Sequence, residues 1–243
     1  MTEPKTALVT GANKGIGHEV VRRLARDGYR VWLGSRDKQR GERAVAQFRE
    51  AGLDVRLLQI DVADDASVTN AVHALARETG RLDVLVNNAG IVASAFHTLP
   101  SEEAIAAIKA VYEVNVFGPV RTTQAFLPLL KAAPAPRIVM VSSGLASLTR
   151  LTNPASEFYG LNLLSYNSSK TALNAITVSF AKELAAAGFK VNAADPGYTA
   201  TDLNGNTGYR TVEQAAEIII KLATLPADGP NARFFDDQGA EAW

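Results

Sequence analysis

A short run of apolar β-formers that breaks into glycines and then becomes an amphipathic helix is compatible with few architectures, and this chain begins with one. Lys5 to Thr10 contains the apolar run Ala7-Leu8-Val9, suited to a strand buried on both faces. Gly11-Ala12-Asn13-Lys14-Gly15-Ile16-Gly17 follows, and then a helical pattern with Val20, Val21 and Leu24 on one side. Glycines let the backbone approach closely, and the N–H groups at a helix N-terminus face outward, so this order suits a pyrophosphate. The spacing is Gly-x-x-x-Gly-x-Gly and not the commoner Gly-x-Gly-x-x-Gly, which leaves open a loop whose glycines serve turn geometry alone.

The same strand and helix rhythm continues. Tyr29–Gly34, Val55–Ile60, Leu82–Val86, Arg137–Ser142 and Lys190–Asp195 read as strands, and Arg233-Phe234-Phe235 as a short edge strand. Between them lie helices over Gln39–Ala51, after the capping residue Asp64, and across most of Ser101–Lys131. Two more are expected: one from an N-cap at Ser165 to Ala187, and one opened by Thr211. Alternation without repeat or linker predicts an α/β fold: a single-domain, Rossmann-type, doubly wound parallel sheet of about seven strands, with helices on both faces, over residues 1–243. Ligands in such sheets sit beyond the carboxyl ends of the strands. Asp61 and Val62 fall there, as do Asn88, Ala89 and Gly90. Asp61 suits adenine contact or a plain turn.

In this frame the residues after the second strand sort the cofactor. An acid there takes ribose hydroxyls, whereas a cation accepts a 2′-phosphate. Ser35 and Arg36 hold the place, and Lys14 is a second cation within the glycine loop, so NADPH is favoured over NADH; a merely charged surface turn is the alternative.

Composition removes other classes. Lys plus Arg equals Asp plus Glu at 25 each, so no overall field draws nucleic acid or an anionic membrane. There is no cysteine, hence no thiolate metal site or Cys nucleophile. His18, His73 and His97 share no metal-ligand spacing, and no metal is expected. Without a recognisable signal peptide or an apolar run long enough for a membrane helix, a cytoplasmic protein is expected.

Tyr166 and Lys170 are four residues apart, on one helix face and about 6 Å apart along the axis. An ammonium beside a phenol favours loss of its proton, which would make Tyr166 an acid/base near neutral pH. Upstream, Pro119 lacks the N–H that would pair with the Asn115 carbonyl, which could instead hold a water in a proton path. Ser143 is a hydroxyl at the end of a central strand, or simply a turn serine. The 22 residues between Ser143 and Tyr166 include Pro154, Gly160, Phe158 and Tyr159 and suggest a functional loop.

With Thr10-Gly11-x-x-x-Gly15-Ile16-Gly17, Asn87-Asn88-Ala89-Gly90, Asn115, Ser143, Tyr166-x-x-x-Lys170 and Pro196-Gly197 in this order, the chain resembles the classical short-chain dehydrogenase/reductase family. The long segment before Tyr166 and the ending Phe234-Phe235-Asp236…Trp243 look more like its carbonyl-reductase-like branch. The resemblance implies a reductase of aldehydes or ketones that uses NADPH. Tyr166 would be the general acid, Lys170 would depress its pKa and bind the nicotinamide ribose, Ser143 would hold the carbonyl oxygen, and Asn115 would place the relay water. Gly11, Asn13, Lys14, Gly15, Ile16 and Gly17 would meet the dinucleotide, and Pro196, Gly197, Thr199 and Thr201 the nicotinamide end. The segment before Tyr166 exceeds the family's spacing by roughly ten residues. It either borders the substrate cleft, with Tyr198 and Leu145 nearby, or covers the helix through which many relatives associate, so monomer and dimer both stay open. An NADP-dependent alcohol dehydrogenase working oxidatively would use the same residues. A non-catalytic NADPH sensor would need the glycine loop but not Asn115, Ser143, Tyr166 and Lys170. The expected partner is a small carbonyl or alcohol.

Overall fold

Seven parallel strands in the order β3-β2-β1-β4-β5-β6-β7 form one sheet in a computed structural model that describes residues 3–93 and 98–243. The strands are β1 (Thr6–Val9), β2 (Arg30–Ser35), β3 (Val55–Gln59), β4 (Val84–Asn87), β5 (Arg137–Val141), β6 (Lys190–Ala194) and β7 (Phe234–Phe235). Each apolar run expected to be a strand is one, with ends moved by a residue or two. His97 lies outside the described residues.

Alternation along the strands divides the core. Ala7 and Val9 point to the face covered by α1 (Gly15–Arg26), α2 (Lys38–Glu50) and α8 (Val212–Ala223), where they meet Val20, Leu24, Phe48 and Ile219. Leu8 points the other way, towards α3 (Asp65–Ala76), α5 (Gly118–Lys131) and α7 (Leu164–Leu184), among Leu75, Phe126, Leu130, Leu173 and Leu184. Fully burying each such Leu or Phe contributes roughly 1.5–3 kcal/mol. The chain reverses its direction of winding between β1 and β4, which pair through Val9 and Val86; this opens a crevice at their carboxyl ends.

Local signals act as expected at two helix starts. The Asp64 carboxylate accepts from the Ser67 N–H at 2.6 Å. At the start of α8, Thr211 Oγ1 accepts from Gln214 N while Gln214 Oε1 accepts from Thr211 N, a reciprocal capping box.

Two expectations are corrected. Ser165 is not the N-cap of α7: the helix starts at Leu164, and the Ser165 N–H donates to the carboxylate of Glu103, 3.1 Å away, from a segment far upstream. A carboxylate at a helix N-terminus answers both a free N–H and the positive end of the dipole, so a remote residue replaces the local hydroxyl. The stretch 101–131 is also not a helix simply kinked at Pro119. Helix α4 (Ile105–Tyr112) runs into a wider π-turn over Glu113–Phe117, and α5 restarts with Pro119 in its first turn. Proline fits there because the π-turn has already shifted the pairing, with the Gly118 N–H on Glu113 O, so residue 119 need not supply an N–H to Asn115.

Candidate active site

The glycine turn after β1 forms a cradle with no room for side chains. Gly11 (φ +63°) and Gly15 (φ +60°) adopt left-handed conformations. A Cβ on Gly11 would fall 2.8 Å from Ala89 Cα, and one on Gly17 would fall 2.5 Å from Asn88 Nδ2 and 3.0 Å from Gly11 O. The Asn88 side chain explains the pressure: its Nδ2 donates to Thr10 O at 2.8 Å and to Gly11 O at 3.2 Å. Thr10 Oγ1 completes the tie by accepting from the N–H groups of Asn88 and Ala89. Asn88 thus holds the loop with its side chain. Helix α1 begins after Lys14 with no side-chain cap, so its first N–H groups face the crevice, as an anion site requires. These residues fit a dinucleotide pyrophosphate. Asn13 and Ile16 lie partly exposed in the same turn.

At the end of β2, Ser35 is buried and its hydroxyl donates to Asp37 O at 2.8 Å. Arg36 is exposed and has no ion-pair partner among the described residues. Lys14, by contrast, meets Asp202 at 2.6 Å, so the two cations expected to serve one phosphate begin from different states. Asp61 makes a turn by accepting from Ala63 N at 3.0 Å, and Val62 is buried beside Gly118. Across the crevice lies the loop after β6. Thr199 is buried with its hydroxyl on Pro196 O and Gly197 O, and the Thr201 methyl would sit 3.5 Å from a Cβ on Gly15.

On the other side of the crevice the structure gathers Asn115, Ser143, Tyr166 and Lys170. The Tyr166 hydroxyl lies beside the Ser143 hydroxyl, which works to hold its pKa down, and Ser143 Oγ accepts from Leu145 N at 3.2 Å. Lys170 is buried. Its Nζ donates to Val141 O at 2.8 Å and lies 5.7 Å from the centre of the Tyr166 ring. Asn115 is fully buried in the π-turn: its Oδ1 accepts from Ile91 N (2.9 Å), while its Nδ2 donates to Ile91 O (3.0 Å) and to Ser169 Oγ (3.1 Å). The side chain therefore joins the loop after β4 to α7. A Cβ on Gly90 would lie 3.5 Å from Asn115 Oδ1 and 3.6 Å from Lys170 Nζ, which places Gly90 between them.

The π-turn bears on the Asn115 carbonyl. In an α-helix Gly118 would donate to Val114 and residue 119 to Asn115. Here Gly118 donates to Glu113, and Pro119 has nothing to donate.

Electrostatics depart from the simple expectation that Lys170 depresses the phenol. Burial dominates, pushing Tyr166 up to about 12, with the Ser143 hydrogen bond opposing and the charge of Asp195 adding. Burial lowers Lys170 to about 8, while Asp195 raises it. In this state the ammonium is turned to a backbone carbonyl, and a phenol that keeps its proton is equipped to donate it.

Four residues that sequence reading passed over also belong to this region: Glu103, Arg150, Asp195 and Glu241. Only Asp195, next to Pro196-Gly197 at a strand end, offered a local signal. Tyr159, a second phenol in the segment before Tyr166, is exposed. His18 packs against Phe48, with ring centres 4.4 Å apart, and burial lowers its pKa; His73 is exposed. Among the described residues no group of three or more His, Cys, Asp and Glu could hold a metal, and no helix is long and apolar enough to cross a membrane.

A glycine cradle at the switch point and a Ser-Tyr-Lys-Asn group facing it define an oxidoreductase of the short-chain dehydrogenase/reductase family, and the chain belongs to it: residues 5–211 match the short chain dehydrogenase family. It is 35% identical to (+)-neomenthol dehydrogenase of Arabidopsis thaliana, with 96% of each chain covered. It is 30% identical to salutaridine reductase of Papaver bracteatum, over 97% of this chain and 95% of that one. Among solved structures, NADPH-bound carbonyl reductase from chicken fatty liver superposes over 100% of both chains with a TM-score of 0.87 and 28% identity.

Proposed function

We propose that this protein reduces an aldehyde or ketone to an alcohol with NADPH, with Tyr166 as the proton donor. The observation that carries the reading is the meeting of Ser143 and Tyr166, with Lys170 and Asn115 packed behind them, opposite a glycine cradle that leaves no room for a side chain at Gly11 or Gly17. A nicotinamide dinucleotide bound in that cradle would supply the hydride. Gly11, Asn13, Gly15, Ile16 and Gly17 would hold its pyrophosphate, Asp61 and Val62 its adenine, and Asn88, Ala89 and Gly90 would border its ribose. Pro196, Gly197, Thr199 and Thr201 would orient the nicotinamide end.

The Ser143 hydroxyl holds the substrate oxygen next to the Tyr166 hydroxyl. As negative charge grows on that oxygen, Tyr166 gives up its proton, which a pKa raised to about 12 has kept in place. Lys170 then stabilises the phenolate and would hold the nicotinamide ribose when the cofactor is bound, and a water on the Asn115 carbonyl returns the proton. The guanidinium of Arg36, without an ion-pair partner among the described residues, would recognise the 2′-phosphate, and Lys14 would join it by leaving Asp202. The same residues run in reverse for alcohol oxidation. NADPH is favoured by Arg36 and by the NADPH in the chicken carbonyl reductase structure.

The substrate is expected to be apolar. The Phe158 ring presses on Gly144, next to Ser143, and Tyr198 and Tyr209 stand exposed on the loop after β6, edge to face at 6.0 Å. The names of neomenthol dehydrogenase and salutaridine reductase fit a cyclic ketone or alcohol of this kind. The test is cofactor oxidation with a panel of cyclic and linear carbonyls, run with NADPH and with NADH. Turnover of several apolar ketones with NADPH is expected. Cofactor binding without turnover of any carbonyl or alcohol would overturn the reading.

A further inference from the structure

Asp195 follows the last residue of β6 and is buried. Its Oδ1 accepts from the Gly197 N–H at 2.8 Å, which alone would be an ordinary turn. Its carboxylate also lies close against Gly144, the residue after Ser143, on a different strand connection, and the Gly144 N–H helps to hold its pKa down. A Cβ on Gly144 would fall 2.8 Å from Asp195 Oδ2 and 2.9 Å from Phe158 Cε2, so carboxylate and ring together leave room for glycine only. One side chain therefore joins the turn that carries Ser143 to the turn that begins the nicotinamide loop.

Behind Asp195 lies a clasp made from two late parts of the chain. Arg150, in the short helix α6 (Leu148–Leu151) of the lengthened segment, reaches Glu241 Oε1 at 3.0 Å and Asp236 Oδ2 at 3.5 Å, with its guanidinium 5.3 Å from the centre of the Phe158 ring. The tail is fixed from both ends. Glu241 N donates to Phe234 O at 2.8 Å, Thr149 donates to Trp243 O through N and Oγ1, and Trp243 stacks on Phe234. The Glu241 side chain is 2% exposed, and its oxygens have no well-aligned hydrogen bond.

We propose that Asp195 is a positioning residue for the reaction, a carboxylate bridge that sets the Ser143 turn against the nicotinamide loop and that Arg150, Asp236 and Glu241 hold in place. The proposal rests on the reductase reading above, and it gives the lengthened segment and the tail a shared task at the site. Burial raises both carboxyl groups beside the Arg150 guanidinium: Glu241, next to Asp195, goes up to about 9 and so keeps its proton at neutral pH. Asp195 is raised as well, with the Gly197 and Gly144 N–H groups and Arg150 opposing in favour of the ionised form. When ionised, Asp195 faces Tyr166 and Lys170 on α7, Arg150 on α6, and Asp236 and Glu241 on the tail, and it favours a protonated Tyr166.

The experiment compares wild type, Asp195→Asn and Arg150→Met in the full chain. NADPH binding is followed by fluorescence, turnover is measured against pH, and the Gly144 and Gly197 amide signals are read in glycine-labelled protein. Asp195→Asn is expected to lower kcat by about tenfold or more, through misplacement of the serine turn, with NADPH affinity nearly unchanged. The alkaline limb of kcat/KM should move to lower pH, because the charge that helps Tyr166 keep its proton is gone. Both glycine amides should lose the downfield shift of a carboxylate bond. Arg150→Met should move the same two signals part of the way. A shift at Gly197 alone, or an unshifted pH limb with a kcat loss that tracks the folded fraction, would overturn the bridge. If wild type turns over no carbonyl, the reductase reading fails, while the paired amide signals still decide whether Asp195 joins the two turns.

Discussion

The crevice has two walls built by different means. On the glycine-loop side, backbone does most of the work: the turn is shaped by positive φ at Gly11 and Gly15 and held through Thr10 to Asn88 of the adjoining strand connection. The tyrosine side is assembled from side chains brought together from afar. Glu103 caps α7, Asn115 reaches from a π-turn to Ile91 and Ser169, and Asp195 joins two loops. A cradle of backbone admits any ligand with the right phosphate geometry. A constellation of side chains can be retuned one residue at a time, so cofactor recognition should change little within such a fold while substrate choice varies.

The largest separation between the walls should come from Tyr166→Phe. Removing the proton donor is expected to lower kcat by about 10²–10⁴-fold. NADPH affinity should stay close to wild type, because the glycine cradle is untouched. A variant that keeps its full rate would mean that Tyr166 is not the acid, and the two walls would lose their division of labour. Its opposite number is Arg36→Asp. Loss of a charge-assisted contact to the 2′-phosphate, worth about 1.5–3 kcal/mol, corresponds to roughly 10–100-fold weaker NADPH binding. NADH affinity should hold or rise, with kcat on NADH unchanged. Equal weakening of both cofactors would show that Arg36 does not read the phosphate.

A third change asks whether the cradle is as rigid as its contacts imply. The new methyl of Gly17→Ala would meet Asn88 Nδ2 at 2.5 Å, and backbone atoms of Ala12 and Gly11 at 3.0 Å, so relief requires movement of the loop itself. A cost of about 1–3 kcal/mol is expected, read as a lower Tm together with weakened binding of either cofactor. An unchanged Tm would show that the loop yields easily and that the contrast between the walls is smaller than the distances suggest.

The same contrast explains what the sequence disclosed. Strand positions, the Asp64 cap and the helix start at Thr211 depend on neighbours a few residues away, so residue pattern determines them. The glycine turn was legible for the same reason. Ser165 failed as a cap because the competing acceptor, Glu103, lies 62 positions upstream, where no spacing rule reaches. Pro119 signalled irregularity correctly, but a kink and a π-turn carry the same sequence mark. Arg150 and Glu241 carried no mark in the residue pattern, because their meeting depends on β7 pairing with β6, a tertiary event. Tyr166 was found, but its electrostatics were not. The sequence shows the lysine one turn away and hides the burial that outweighs it.

The smallest expected effect tests whether that hidden burial extends to the tail. Glu241 has an ordinary pKa of 4.5, which burial and the neighbouring Asp195 raise to about 9 in the folded chain. Between those values the folded protein holds a proton that the unfolded chain has released. Its contribution to stability is therefore complete below pH 4.5 and is lost as pH rises through about 9. Glu241→Gln keeps the shape and the donor but cannot ionise. From about pH 5 to about pH 9, the Tm of wild type should fall further than that of Glu241→Gln. The variant should be the more stable of the two at the alkaline end. Parallel curves would mean that Glu241 is already ionised at neutral pH. Asp195, which burial also raises, would then be the group left to keep a proton, and with Asp195 neutral its charge could no longer act on Tyr166.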